Sequence, residues 1–155
     1  MIAPIYPDDE VYRLEALRSL NLLDTASDSV FDDLVHIGRA LFDVPICLIS
    51  LIDSSRQWFK AGAGLDAQAI ERCISLCGHA ILGRDVFVVP DALQDERFHD
   101  NPPVTEGPRI RFNAGRRYDC LAIAPSARFA LSHRSQEAIS TIKKPNDCPC
   151  SRVLF

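Results

Sequence analysis

Pro45-Ile46-Cys47-Leu48-Ile49-Ser50-Leu51-Ile52-Asp53-Ser54-Ser55-Arg56-Gln57-Trp58-Phe59-Lys60-Ala61 decides the fold class. Pro45 stops a helix from running into the segment, because its ring clashes with the preceding turn. Residues 46–52 are apolar at both parities apart from Ser50, the pattern of a strand buried on both faces. Residues 56–61 alternate Gln57, Phe59 and Ala61 against Trp58 and Lys60, a second strand. Asp53-Ser54-Ser55 supplies the turn between them. Two strands joined so tightly must run antiparallel. An antiparallel pair flanked by helices predicts an α+β domain rather than a doubly wound parallel sheet.

Working outward, Leu14, Leu17 and Leu20 predict a helix over 10–23. A second helix is expected from about Val30 to Phe42. Phe31, Leu34, Val35, Gly38, Leu41 and Phe42 form its apolar stripe, and Asp28 or Ser29 caps it. Downstream, Ile70, Cys73, Ile74, Cys77 and Ile81 sit at helical spacing. Val86-Phe87-Val88-Val89 reads as a short strand stopped by Pro90, and residues 95–100 as one helical turn. Ile110, Phe112 and Ala114 alternate as a further strand.

The 155 residues fit one domain, with 47% hydrophobic and 25% charged side chains. That composition excludes a disordered, collagen-like or coiled-coil chain. The longest apolar run, Val44 to Leu51, is far short of the ~20 residues a membrane span needs. The acidic N-terminus lacks the apolar core of a secretory signal, so a cytoplasmic location with reduced cysteines is expected. A net charge of −4 argues against a nucleic-acid partner.

Cys77-Gly78-His79-Ala80-Ile81, Val88-Val89-Pro90-Asp91-Ala92, Asp95-Glu96-Arg97-Phe98, Asn101-Pro102 and Ile110-Arg111-Phe112 together resemble a GAF domain. They are most similar to the GAF domains at the N-termini of bacterial sensor histidine kinases and cyclic-di-GMP enzymes. Arg13 to Leu17, Leu22 to Thr25 and the hairpin residues fit as well, so the resemblance covers 10–115. It implies an antiparallel sheet of about six strands with helices on both sides. It also implies a sensing role, in which a small molecule or a partner acts on a pocket or a dimer interface. Output would come from a separate domain, which is not expected within these residues. A homodimer through the N-terminal helix and one neighbour is expected, with no membrane partner and no cofactor.

The resemblance places Cys77 and His79 beside the pocket. Trp58, Phe59, Asp91 and Phe112 complete the expected ligand-binding set, and Asn113 stands where relatives often carry an aromatic side chain. Cys73 and Cys77 would share one helical face a turn apart. A redox pair is one reading of them and plain packing another. A metal site would need a fourth ligand, and none is expected. No phosphate loop, zincin motif or nucleophile elbow occurs, so no catalytic residue is assigned. The alternative reading is a thiol enzyme of the free methionine sulfoxide reductase type, or a cysteine redox sensor.

The last 40 residues differ in kind. Residues 1–115 carry 18 acidic and 10 basic side chains, whereas 116–155 carry 3 and 7, and every Gly lies in the first part. GAF relatives continue past this point with a segment like Ala-Pro-Leu-Arg and a strand like Gly-Thr-Leu-Cys-Val-Ile. Codons built from the last base of one residue and the first two of the next can spell both, at matching spacing. Tyr118–Asp119 then allows only Arg or stop, Asp119–Cys120 forces Leu, and Phe129–Ala130 allows only Cys or Arg. Residues 116–155 are therefore expected to be a frameshifted tail. The sheet would be incomplete at its C-terminal end, with the middle strand and following helix lost, and the pocket compromised.

Overall fold

The computed structural model describes residues 1–118 and 152–154. The hairpin lies where the sequence puts it. β1, Ile46–Ile52, pairs antiparallel with β2, Arg56–Ala63, and β3, Ala69–Glu71, adds antiparallel to the outer side of β2. β4, Phe87–Val89, pairs antiparallel with β5, Phe112–Gly115. β6, Arg152–Leu154, lies between β1 and β5 and runs parallel to both. The sheet order is β3-β2-β1-β6-β5-β4. The class is α+β, with two parallel pairings at its centre beside the three antiparallel ones. The expected loss of the middle strand falls largely on residues outside those described. Within them, a three-residue strand takes the middle position.

α1, Glu10–Ser19, is shorter than expected, because Asn21 and Asp24 take positive φ and turn the chain. α2, Ser29–Phe42, starts at its expected cap. The Asp28 carboxylate accepts from the Val30 N–H at 3.0 Å, and Asp43 at φ 50° ends the helix. The inner face of α2 is Phe31, Val35 and Phe42, packed with Val44, Cys47 and Ala61. Leu34 and Leu41, expected on that stripe, lie instead on an exposed flank with Val30 and Ile37.

Residues 70–81 depart from the expected single helix. β3 is followed by a 3-10 turn, Arg72–Ile74, and then by the short α3, Leu76–Ala80. Ser75 makes the break: it is extended, and its hydroxyl caps α3 by accepting from the Gly78 N–H at 2.9 Å. The short α4, Pro102–Thr105, begins at two prolines, which suit a first turn because its N–H groups have no partner there.

α1 and α2 cover one face of the sheet. α3 and the connection between β4 and β5 cover the other, where Leu76, Val89, Phe98 and Val104 are almost wholly buried against Ile46, Leu48 and Phe59. A bulge sets the faces of β2. Ile49 opposes Ala61 and Ser50 opposes Phe59, so Lys60 is the extra residue. Its ammonium turns to the helix side and donates to Thr25 Oγ1 and the Ala26 carbonyl at 2.8 and 2.7 Å. The N-terminal strap docks on the opposite layer. The Ile2 N–H donates to the Arg97 carbonyl at 3.0 Å, and Pro4 lies so close to Gly78 that a Cβ there would meet it at 2.6 Å. Among the described residues no helix is long and apolar enough to cross a membrane.

Candidate functional site

Gln57 is the second residue of β2 and is almost wholly buried on the α3 face. Its Nε2 donates to Ser50 Oγ at 2.8 Å and to Cys77 Sγ at 3.2 Å. Its Oε1 accepts from Ser75 Oγ at 2.5 Å. The serine that caps α3 thus also fixes the glutamine amide, and the cap orients Cys77 toward the sheet. Burial pushes the Cys77 thiol up to about 12, although Ser50 and Gln57 pull the other way. At neutral pH it is a protonated thiol and not a nucleophile.

Asn113 lies on β5 and is fully buried, and among the described residues neither its side-chain oxygen nor its nitrogen has a partner. It opposes Val89 across the β4–β5 pair, and Val89 packs in the α3-side core. Cross-strand neighbours share a face, so the Asn113 amide shares the face of Gln57. α3 packs against both β1 and β5. The layer between sheet and α3 therefore holds an apolar core, one satisfied polar cluster and one unsatisfied amide.

The expected ligand-binding set is only partly gathered here. Phe59 and Cys77 both lie on the α3 side of the sheet, Phe59 in the apolar core and Cys77 bonded to Gln57. His79 is half-buried on the outer side of α3. Its Nε2 donates to the Ile2 carbonyl at 3.0 Å and its ring meets Phe98 edge-on at 4.9 Å. Burial depresses its pKa, partly offset by the Ile2 carbonyl. Trp58 lies on the opposite face against Leu17 and Leu51, since neighbours in a strand alternate. The same alternation sets Phe112 opposite to Asn113. Asp91 is exposed and holds a turn, accepting from the Leu93 N–H at 3.0 Å. Asp95 and Arg97 form a separate bidentate pair at 2.8 and 2.6 Å.

Cys73 and Cys77 do not share a helical face. Cys73 is exposed and donates to Glu71 Oε2 at 3.3 Å, a bond that raises its pKa. Among the described residues no cluster of three His, Cys, Asp or Glu side chains could hold a metal. Sequence reasoning missed Gln57 and Ser75 and passed over Asn113 as a departure from relatives. The signal was there. Gln57 and Asn113 are uncharged polar residues inside strands, and Ser75 precedes Leu76-Cys77-Gly78 as a helix cap does.

A sequence model of the GAF domain matches residues 27–116. The chain belongs to the GAF domain family. The chain is 47% identical over 115 residues to a cyclic di-GMP phosphodiesterase of Pseudomonas aeruginosa. That match covers 74% of this chain and 20% of the relative, so the chain spans about a fifth of the relative's length. The GAF domain is thus a signalling module of a kind found in bacterial cyclic-di-GMP proteins.

Proposed function

We propose that this GAF domain senses a small molecule between the sheet and α3 and regulates an output domain, as part of cytoplasmic bacterial signalling. The observation that carries the reading is Asn113. An unpartnered buried amide costs about 1–3 kcal/mol, and a ligand that accepts and donates there recovers it. The Gln57–Ser75–Cys77 cluster beside the same core offers a second, oriented polar edge. The cyclic di-GMP phosphodiesterase relative supports an output that acts on a nucleotide messenger.

The burial of Cys77 favours this reading over a thiol enzyme or redox sensor. In the same reading the domain pairs with a second copy through α1 and a neighbouring helix, a role that the exposed apolar flank of α2 supports. Residues 116–155 are a frameshifted tail. Gln57, Ser75, Cys77 and Asn113 all precede them, so the chemistry of the sensing layer is retained.

Thermal melts with a panel of nucleotides, nucleobases, amino acids and organic acids test the proposal. At least one member raises the melting temperature of the wild-type chain, by mass action on the folded state. Asn113→Leu keeps the fold and loses the response. A panel without effect, or a response that survives Asn113→Leu, contradicts it.

A further inference from the structure

Arginine presents a carboxylate-matching edge through Nε and the Nη2 beside it. Two arginines of this chain use that edge fully. Arg13 gives Nε and Nη2 to the Glu10 carboxylate at 2.7 and 2.8 Å, and Arg97 gives the same atoms to Asp95 at 2.8 and 2.6 Å. Arg72 does not. Its Nη1 donates to Glu10 Oε1 at 2.5 Å and to the Asp53 carbonyl at 2.9 Å. Among the described residues its Nε and Nη2 are buried with no acceptor, on a side chain only 4% exposed.

Arg72 lines a cleft of about 730 Å³ at the edge of the sheet, and neither Asn113 nor Gln57 is part of its lining. Edge strand β3 forms one wall, the Ser54-Ser55-Arg56 turn another, and Tyr6 of the N-terminal strap the third. The Tyr6 ring lies over the Arg72 guanidinium at 4.3 Å and is itself 62% exposed. An exposed ring stacked on the guanidinium is not fixed by a packed core.

We propose that this cleft is a second binding site, for a small oxyanion, a carboxylate or a phosphate, taken by Arg72 Nε and Nη2 under Tyr6. Ser54 and Ser55 add hydroxyls at the rim. Glu71 is the acidic side chain of the lining and accepts from Cys73, so it disfavours a bulky polyanion. A dry setting strengthens the pair, because charge–charge attraction rises as the local dielectric falls.

The test is a titration of the full chain with malonate, with inorganic phosphate and with chloride, followed at the arginine Nε–H signals by nuclear magnetic resonance. One Nε–H signal shifts saturably with malonate or phosphate and not with chloride. The stronger of the two names the oxyanion. In Arg72→Lys, which keeps the charge beside Glu10, that signal is gone and affinity falls about tenfold or more. Tyr6→Ala changes the affinity and leaves the fold intact, since Tyr6 is exposed. The side-chain amides of Asn113 and Gln57 stay unmoved, which separates this site from the proposed sensing pocket. The proposal is overturned if neither anion shifts an Nε–H signal, if chloride shifts it equally, or if Arg72→Lys binds as well as wild type.

Discussion

Replacing Glu10 by glutamine should destabilise the domain through a residue 62 positions away. Glu10 is the carboxylate that meets Arg72 among the described residues, and it also holds Arg13. Removing it leaves the Arg72 charge buried with the Asp53 carbonyl as its remaining acceptor. Unpairing a buried charge costs about 3–5 kcal/mol. The glutamine carbonyl still accepts one hydrogen bond, which brings the expected loss to about 2–3 kcal/mol. The pH dependence gives a second handle. Burial opposes the Glu10 charge, but the bonds from Arg13 and Arg72 outweigh it and bring the carboxyl from 4.5 to about 2. A depressed acid stabilises the fold fully above its unfolded pKa, and that contribution fades as pH falls from 4.5 toward 2. Urea melts followed by Trp58, the single tryptophan and a buried one, measure both effects. The gap between wild type and Glu10→Gln is full at neutral pH and shrinks as pH falls from 4.5 toward 2. A gap under about 0.5 kcal/mol at neutral pH, or one that acid leaves unchanged, refutes the reasoning.

Three further outcomes follow. Of the three cysteines described, only exposed Cys73 reacts with iodoacetamide in the native chain; burial pushes the Cys47 thiol to about 11 and Cys77 to about 12, and mass spectrometry showing early Cys77 labelling contradicts this. Phe98→Ala, at a fully buried side chain, costs about 3–5 kcal/mol in the same urea melts, and a loss under about 1 kcal/mol shows that the α3-side core is not packed as described. Sequencing the coding DNA tests the tail: shifting one base near codon 115 opens a frame that encodes the Gly-Thr-Leu-Cys-Val-Ile strand, and a closed or unrelated frame ends the idea.

The hairpin was legible because its strands carry their own signals: Pro45 before, three turn residues between and apolar runs on each side. The start of α2 was legible for the same reason, since an aspartate cap acts within two residues. Segment 70–81 was not. Its apolar spacing suits a helix, but pairing with β2 claimed Ala69 to Glu71 and the Ser75 cap restarted the chain. The faces of β2 were equally hidden. Trp58 and Phe59 are both large and apolar, so only the helices docked beneath show that Trp58 belongs to α1 and Phe59 to α3. The exposed flank of α2 escaped notice because Leu34 and Leu41 look like core on a helical wheel until a neighbour is assigned. Of the expected site, Phe59 and Cys77 share the α3 side of the sheet. Asn113, which carries the functional reading, stood out only as an odd residue in a strand.

In the proposed function a small molecule is read between the sheet and α3, at Asn113. The most direct measurement follows the side-chain amide signals of Asn113 and Gln57 by nuclear magnetic resonance, while the nucleotide, nucleobase, amino-acid and organic-acid panel is titrated in. A saturable shift of both amides is expected with at least one compound, and the Gln57 shift is lost in Asn113→Leu. Amides that no compound moves, or shifts confined to residues outside this layer, would contradict it.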